Sequence, residues 1–202
     1  MPARVIVLAG PSGSGKSRLA ERLALPVLRL DDFYKSGGDP SLPLITHGPN
    51  EGLVDWDHPD SWLPDEGVAA LVELCRTGEV DVPVYEIARN GRTGTQRLHL
   101  DGAPLVVAEG IFAPDVVEPL REAGVLAAAF CVRRPAPVTF LLRLQRDLRE
   151  RRKPPLMLVR RGVALMREQR HVVADAVAKG CEAVGLREAE GRVAALREST
   201  RA

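Results

Sequence analysis

A three-layer α/β fold, with helices on both faces of a mainly parallel sheet, is predicted by two features of this 202-residue sequence. Short aliphatic runs alternate with amphipathic stretches, and a glycine-rich octet at 10–17 joins the first run to the first stretch. The runs at 5–9, 27–30, 105–108 and 127–132 are rich in Val, Leu, Ile and Ala, as strands buried on both faces require. Stretches at 17–24, 61–76, 115–123, 136–151 and 156–178 repeat apolar residues every three or four positions, and a weaker Glu/Arg-rich helix is expected at 187–198. Strands alternating with helices in this way build a parallel sheet, because each crossover needs about the length of a helix.

Two stretches break the alternation. Residues 35–60 are rich in Gly, Pro and Asp and read as a long connection. In 82–100, Val82, Val84, Leu98 and Leu100 flank Asn90-Gly91 and Thr93-Gly94, which predicts a β-hairpin added to the core. No repeat or linker divides the chain, and its length suits one hydrophobic core better than two, so a single domain over 1–202 is expected.

Composition removes several classes of function. Lys plus Arg total 28 against 27 for Asp plus Glu, so the overall field gives no long-range pull on nucleic acid or an anionic membrane. The first ten residues lack the apolar core and cleavage site of a secretion signal, and no apolar run is long enough to span a bilayer; a cytoplasmic location is expected. Cys75, Cys131 and Cys181 lie far apart in stretches read as helix, strand and strand, without metal or redox spacing, and are expected to be reduced and buried.

The octet Gly10-Pro11-Ser12-Gly13-Ser14-Gly15-Lys16-Ser17 matches GxxxxGK[ST] between a predicted strand and a predicted helix. Its glycines let the backbone curl until successive N–H groups point at phosphate oxygens, and the helix start adds partial positive charge. Lys16 supplies a compact mobile charge in a chain that has only four lysines among its 28 basic residues. Ser17 is the expected magnesium ligand. These residues predict a P-loop nucleotide-binding fold that uses ATP with Mg2+.

Residues downstream of the loop narrow the class. Guanine recognition by switch GTPases needs Asn-Lys-x-Asp, yet Asn50 and Asn90 are the only asparagines and neither precedes Lys. Mechanical ATPases pair the loop with a strand ending in an acidic pair, whereas the run at 105–108 leads to a lone Glu109. The run at 27–30 ends in Asp31-Asp32-Phe33-Tyr34, which places carboxylates where open α/β sheets bind ligands. Phosphoryl transfer to an alcohol needs a carboxylate to accept the hydroxyl proton, and Asp31 is the candidate base.

Taken together, GPSGSGKS, DDFYK, WDHPDSW at 56–62, VPVYE at 82–86, EGIFA at 109–113 and RLQRDLRERRK at 143–153 resemble the uridine kinases, within the wider group of P-loop nucleoside, phosphoribulose and nicotinamide riboside kinases. The resemblance implies transfer from Mg-ATP, with GTP as a second candidate donor, to the 5′-hydroxyl of uridine or cytidine. It implies Asp31 as the catalytic carboxylate and Glu109 as the acid orienting magnesium opposite Ser17. Asp57 would accept hydrogen bonds from ribose hydroxyls, Tyr85 would pack near the base and Tyr34 would line the acceptor pocket. The basic stretch would be part of a helical lid at about 146–156, with Arg146 and Arg151 clamping phosphates and Arg143 near the ribose. His58 is expected in a turn or packing role. Two departures stand out: Asn90 replaces a histidine expected five residues after Tyr85, and Pro154-Pro155 follows Lys153. Asn90 could read a base edge or simply form the turn.

The expected partners are therefore a nucleoside and a nucleoside triphosphate, without nucleic acid or membrane, and a homo-oligomer is compatible with this reading. Nicotinamide riboside is the alternative acceptor. A nucleotide-binding regulator or nucleic-acid-associated ATPase is the alternative from another class.

Overall fold

In the computed structural model, residues 2–48, 50–149 and 155–200 are described. The buried aliphatic runs form a five-stranded sheet in the order β2-β5-β1-β6-β7, with every pairing parallel. Its strands are β1 (Arg4–Ala9), β2 (Val27–Arg29), β5 (Leu105–Glu109), β6 (Leu126–Val132) and β7 (Glu182–Val184). Two further strands, β3 (Glu79–Glu86) and β4 (Gly91–His99), pair antiparallel as a separate hairpin.

β1 shows why the sheet needs helices on both faces. Val5, Val7 and Ala9 enter one hydrophobic cluster, Ile6 and Leu8 the other, and all five are fully buried. The first cluster takes Leu71 and Leu74 from α2 (Pro64–Thr77), Val117 and Leu120 from α3 (Val117–Glu122) and Ala176 from α5 (Pro155–Ala178). The second takes Leu19 and Leu23 from α1 (Lys16–Leu23) and Ala189 and Val193 from α6 (Leu186–Ser199). α4 (Ala136–Arg149) packs against α5. The expected three layers are present, and among the described residues no helix is long and apolar enough to cross a membrane.

Several boundaries differ from expectation for local reasons. The helix expected from residue 61 starts at Pro64, whose fixed φ suits a first helical position, with Asp65 and Glu66 on the positive end of the dipole. Residues 59–61 form a separate 3₁₀ turn, capped by His58 Nδ1 accepting from the Asp60 N–H at 3.1 Å. β2 stops at Arg29, and Leu30–Phe33 turns into a 3₁₀ helix. The hairpin opens three residues earlier than expected and turns at Ile87–Arg89 and Asn90, so Thr93-Gly94 lies inside β4. Cys181 immediately precedes β7 rather than lying in a strand; burial raises its thiol to about 12 and that of Cys75 to about 11.

Candidate functional site

The site forms along the carboxyl-terminal edge of the sheet, where β1, β5 and β2 end side by side. After Ala9 the chain turns sharply through Gly10, Gly13 and Gly15, at φ 132°, 82° and 99°. Such angles are strained for residues with a Cβ. At Gly10 a Cβ would also sit 2.4 Å from the Val132 carbonyl oxygen of the neighbouring strand. Gly15 leads directly into α1, so the curled loop and the helix amino terminus form one continuous set of N–H donors. Lys16 Nζ reaches back over this loop to the carbonyl oxygens of Gly10 at 2.5 Å and Pro11 at 3.3 Å, which holds its charge at the loop mouth. Ser14 is fully buried, and its hydroxyl has no hydrogen-bond partner among the described residues.

β5 runs beside β1 and delivers Glu109 to the same edge. Ser17 Oγ donates toward its carboxylate, at 3.1 Å from Oε2 and 3.4 Å from Oε1. A hydroxyl beside a carboxylate fits Mg2+, a hard ion that keeps most of its ligands as water and substrate phosphate. Among the described residues no group of three or more His, Cys, Asp or Glu could hold a metal without such help.

β2 pairs with β5 through Arg29 and Glu109, which brings the 3₁₀ turn after β2 against the residues after β5. Asp31 Oδ1 accepts the Ile111 N–H at 3.0 Å. The approach depends on Gly110, where a Cβ would lie 2.8 Å from that oxygen and 2.9 Å from Leu30 Cβ. Asp32 points the other way and is 4% exposed. Its Oδ1 accepts the Tyr85 N–H at 3.4 Å and its Oδ2 lies 3.9 Å from Arg29 Nε. Burial raises the Asp32 carboxyl above its usual range, with Arg29 and the Tyr85 N–H opposing.

Two segments singled out by their motifs are stitched together here. Lys35 N–H donates to Ser61 O at 2.9 Å, Leu63 N–H to Phe33 O at 3.0 Å, and Tyr34 bridges to Trp62. The Tyr34 hydroxyl donates to Trp56 O at 3.1 Å. Its ring lies 5.7 Å from those of both Trp56 and Tyr85 and 5.9 Å from Phe112. Burial, followed by the nearby Asp31 and Asp57 carboxylates, pushes the Tyr34 phenol well above its ordinary value. Tyr34 thus marks the meeting point of Asp31, Asp57, Trp56 and Tyr85.

Asp57 is exposed and leaves capping of the 59–61 turn to His58. Asn90 adopts φ 52° and ψ 43° at the hairpin tip, its carbonyl accepts the Gly37 N–H at 2.7 Å, and its Oδ1 lies 3.4 Å from the Tyr85 hydroxyl. Ser12 is exposed on the loop. Arg143 and Arg146 fall on the backbone of α4, with side chains outside the described set. Arg151, with the rest of residues 150–154 of the expected lid at 146–156, lies outside the described residues. Sequence reading missed Gly110 and gave Trp56 no role of its own. Gly110 could have been found from its position after Glu109, where a strand end must let a second chain approach.

No family model matches the sequence. Over 172 residues, 81% of this chain and 77% of the relative, it is 29% identical to the uridine kinase of Chloroflexus aurantiacus. It is 35% identical to the uridine kinase of Schizosaccharomyces pombe over 117 residues, 54% of this chain but a quarter (25%) of that longer protein. The fold matches a crystal structure from Silicibacter sp. TM1040, provisionally described as a fructose transport system kinase, with a TM-score of 0.58, 19% identity and coverage of 86% of this chain and 85% of that one. The chain is thus a relative of proteins named uridine kinase, built on the fold of the P-loop kinases.

Proposed function

We propose that this chain is an ATP-dependent kinase that phosphorylates the 5′-hydroxyl of a nucleoside, with uridine and cytidine as the leading acceptors. The observation that carries the reading is the position of Asp31: two residues beyond β2, against Gly110 and Ile111, which follow the Glu109 that Ser17 contacts, and close enough to Tyr34 to act on its phenol. A carboxylate there lies between a phosphate-binding loop and an aromatic pocket. The relatives named uridine kinase give independent support.

In this reading the loop N–H groups and Lys16 hold the donor phosphates, and Lys16 neutralises charge that builds on them during transfer. Ser17 and Glu109 would hold Mg2+, which supplies further neutralisation of phosphate oxygens when bound. Asp31, oriented by the Ile111 N–H, takes the proton as the acceptor oxygen attacks. Asp57 accepts from the vicinal ribose hydroxyls, and Tyr34, Trp56 and Tyr85 enclose the base and keep water from competing with it. Arg143, Arg146 and Arg151 are proposed for the lid and the transferring group.

A second acceptor, nicotinamide riboside, is favoured by Asn90, whose backbone is used in the hairpin turn where an edge-reading side chain was expected. A transfer assay with Mg-ATP and Mg-GTP against uridine, cytidine, nicotinamide riboside, pantothenate and ribulose phosphate separates these acceptors. Turnover of uridine or cytidine well above the others is expected. Inertness toward both would remove the leading reading, and turnover confined to nicotinamide riboside would establish the second.

A further inference from the structure

We infer that Arg134 is a further phosphate-binding cation of the donor site, approaching the loop from the side opposite Glu109 and Asp31. The inference rests on the donor half of the proposed reading and adds a residue to it.

Sheet order fixes the geometry. β1, which feeds the loop, lies between β5 and β6. Asp31 and Glu109 stand on the β2/β5 side, so a phosphate transferred toward Asp31 must face that side. The phosphates that stay with the leaving nucleotide then extend toward β6 and β7. Arg134 sits there, two residues after β6 ends at Val132, and half-buried. A Cβ on Gly15 would lie 3.4 Å from one Arg134 terminal nitrogen, Nη2, and 3.2 Å from Leu186 Cδ1. The guanidinium therefore lies beside the turn from which α1 and Lys16 begin.

Two further observations indicate that this side chain is held for a ligand. Among the described residues its buried Nε has no hydrogen-bond partner, and no ion pair engages the guanidinium. A cationic donor left unsatisfied beside the protein's anion-binding loop is costly unless an anion arrives. Meanwhile the Arg134 backbone is anchored: its carbonyl accepts Gln169 Nε2 at 2.7 Å, and Gln169 is only 8% exposed. The neighbouring Arg133 N–H is fixed to Val184 O at 2.9 Å. A rigid backbone thus presents a side chain with unused donors, the arrangement that binds phosphate oxygens most effectively.

The test is calorimetric titration of the full chain, without acceptor, by Mg-ATP, Mg-ADP and Mg-tripolyphosphate, comparing wild type with Arg134→Gln and Arg134→Lys. Arg134→Gln should weaken all three by about tenfold, with Arg134→Lys recovering part of the loss because it keeps the charge and loses the fork. The ligand-free melting temperature of Arg134→Gln should be unchanged or higher, since a buried donor without a partner is removed. Equal affinities for tripolyphosphate in wild type and Arg134→Gln would overturn the assignment. So would a Lys variant as weak as the Gln variant with a lowered melting temperature, which is the signature of a packing role. Failure of the wild type to bind any of the three would sink the donor reading itself, and this inference with it.

Discussion

Asp31 and Gly110 form one device at the scale of the residue. The carboxylate is aimed by an N–H that can approach only because the residue before it has no side chain. Gly110→Ala should move Asp31 by several tenths of an ångström or more and reduce kcat by about 100-fold, the usual consequence of misplacing a catalytic group. ATP affinity should change little, and steady-state kinetics beside ATP titration checks both. The adjacent carboxylate makes a different prediction. Asp32 has its pKa raised in the fold chiefly by burial, so its contribution to stability is full below the ordinary value of 3.8 and is lost as pH rises through the folded value. Asp32→Asn keeps an oxygen for the Tyr85 N–H and removes the ionised form. Its melting temperature relative to wild type should therefore rise as pH increases from about 4; a constant or falling difference would contradict this. Asp31 and Asp32 were both visible in the sequence as carboxylates after a strand. Their opposite orientations were not, because a 3₁₀ turn rather than an extended strand sends consecutive side chains in directions that spacing alone does not set.

In the proposed reading, the hairpin is the element on which acceptor choice turns. Asn90 is both a residue that could read a base edge and the left-handed residue that closes β3 onto β4. Those roles separate in Asn90→Gly, which keeps the left-handed backbone and the hydrogen bond to Gly37 but removes the side chain. Stability should fall by no more than about 0.5 kcal/mol, since glycine adopts this conformation without strain. If Asn90 serves only the turn, the ratio of kcat/KM for uridine and cytidine stays the same. A changed ratio would assign its amide to the base edge. The sequence foretold a hairpin from its alternation and its Asn-Gly pair, but placed its start late. Glu79 and Asp81 are polar residues on the outward face of β3, and in a stretch that follows a helix without a break they give little signal. The aromatic grouping of Tyr34, Trp56 and Tyr85 was legible only as separate motifs, because the ties between residues 33–35 and 61–63 are backbone hydrogen bonds.

For the molecule as a whole, the parallel sheet was legible because its strands carry continuous aliphatic runs, and β1 is buried along both faces. β7 was read only as a strand around Cys181 and was missing from the aliphatic runs: three residues between two helices make a run too short to stand out. Strand order decides where the proposed functional residues lie, with the carboxylates on the β2/β5 side of the loop and Arg134 on the β6/β7 side. In the proposed reading, donor and acceptor meet between the loop after β1 and the turn after β2, where Asp31 is the proposed proton acceptor. The most direct test of that role is Asp31→Asn, assayed for nucleoside 5′-phosphate formation and, separately, for Mg-ATP affinity. Transfer should fall by about 100- to 10,000-fold while ATP affinity stays within about twofold of wild type. Near-normal turnover in this variant would contradict the assignment of Asp31 as the base.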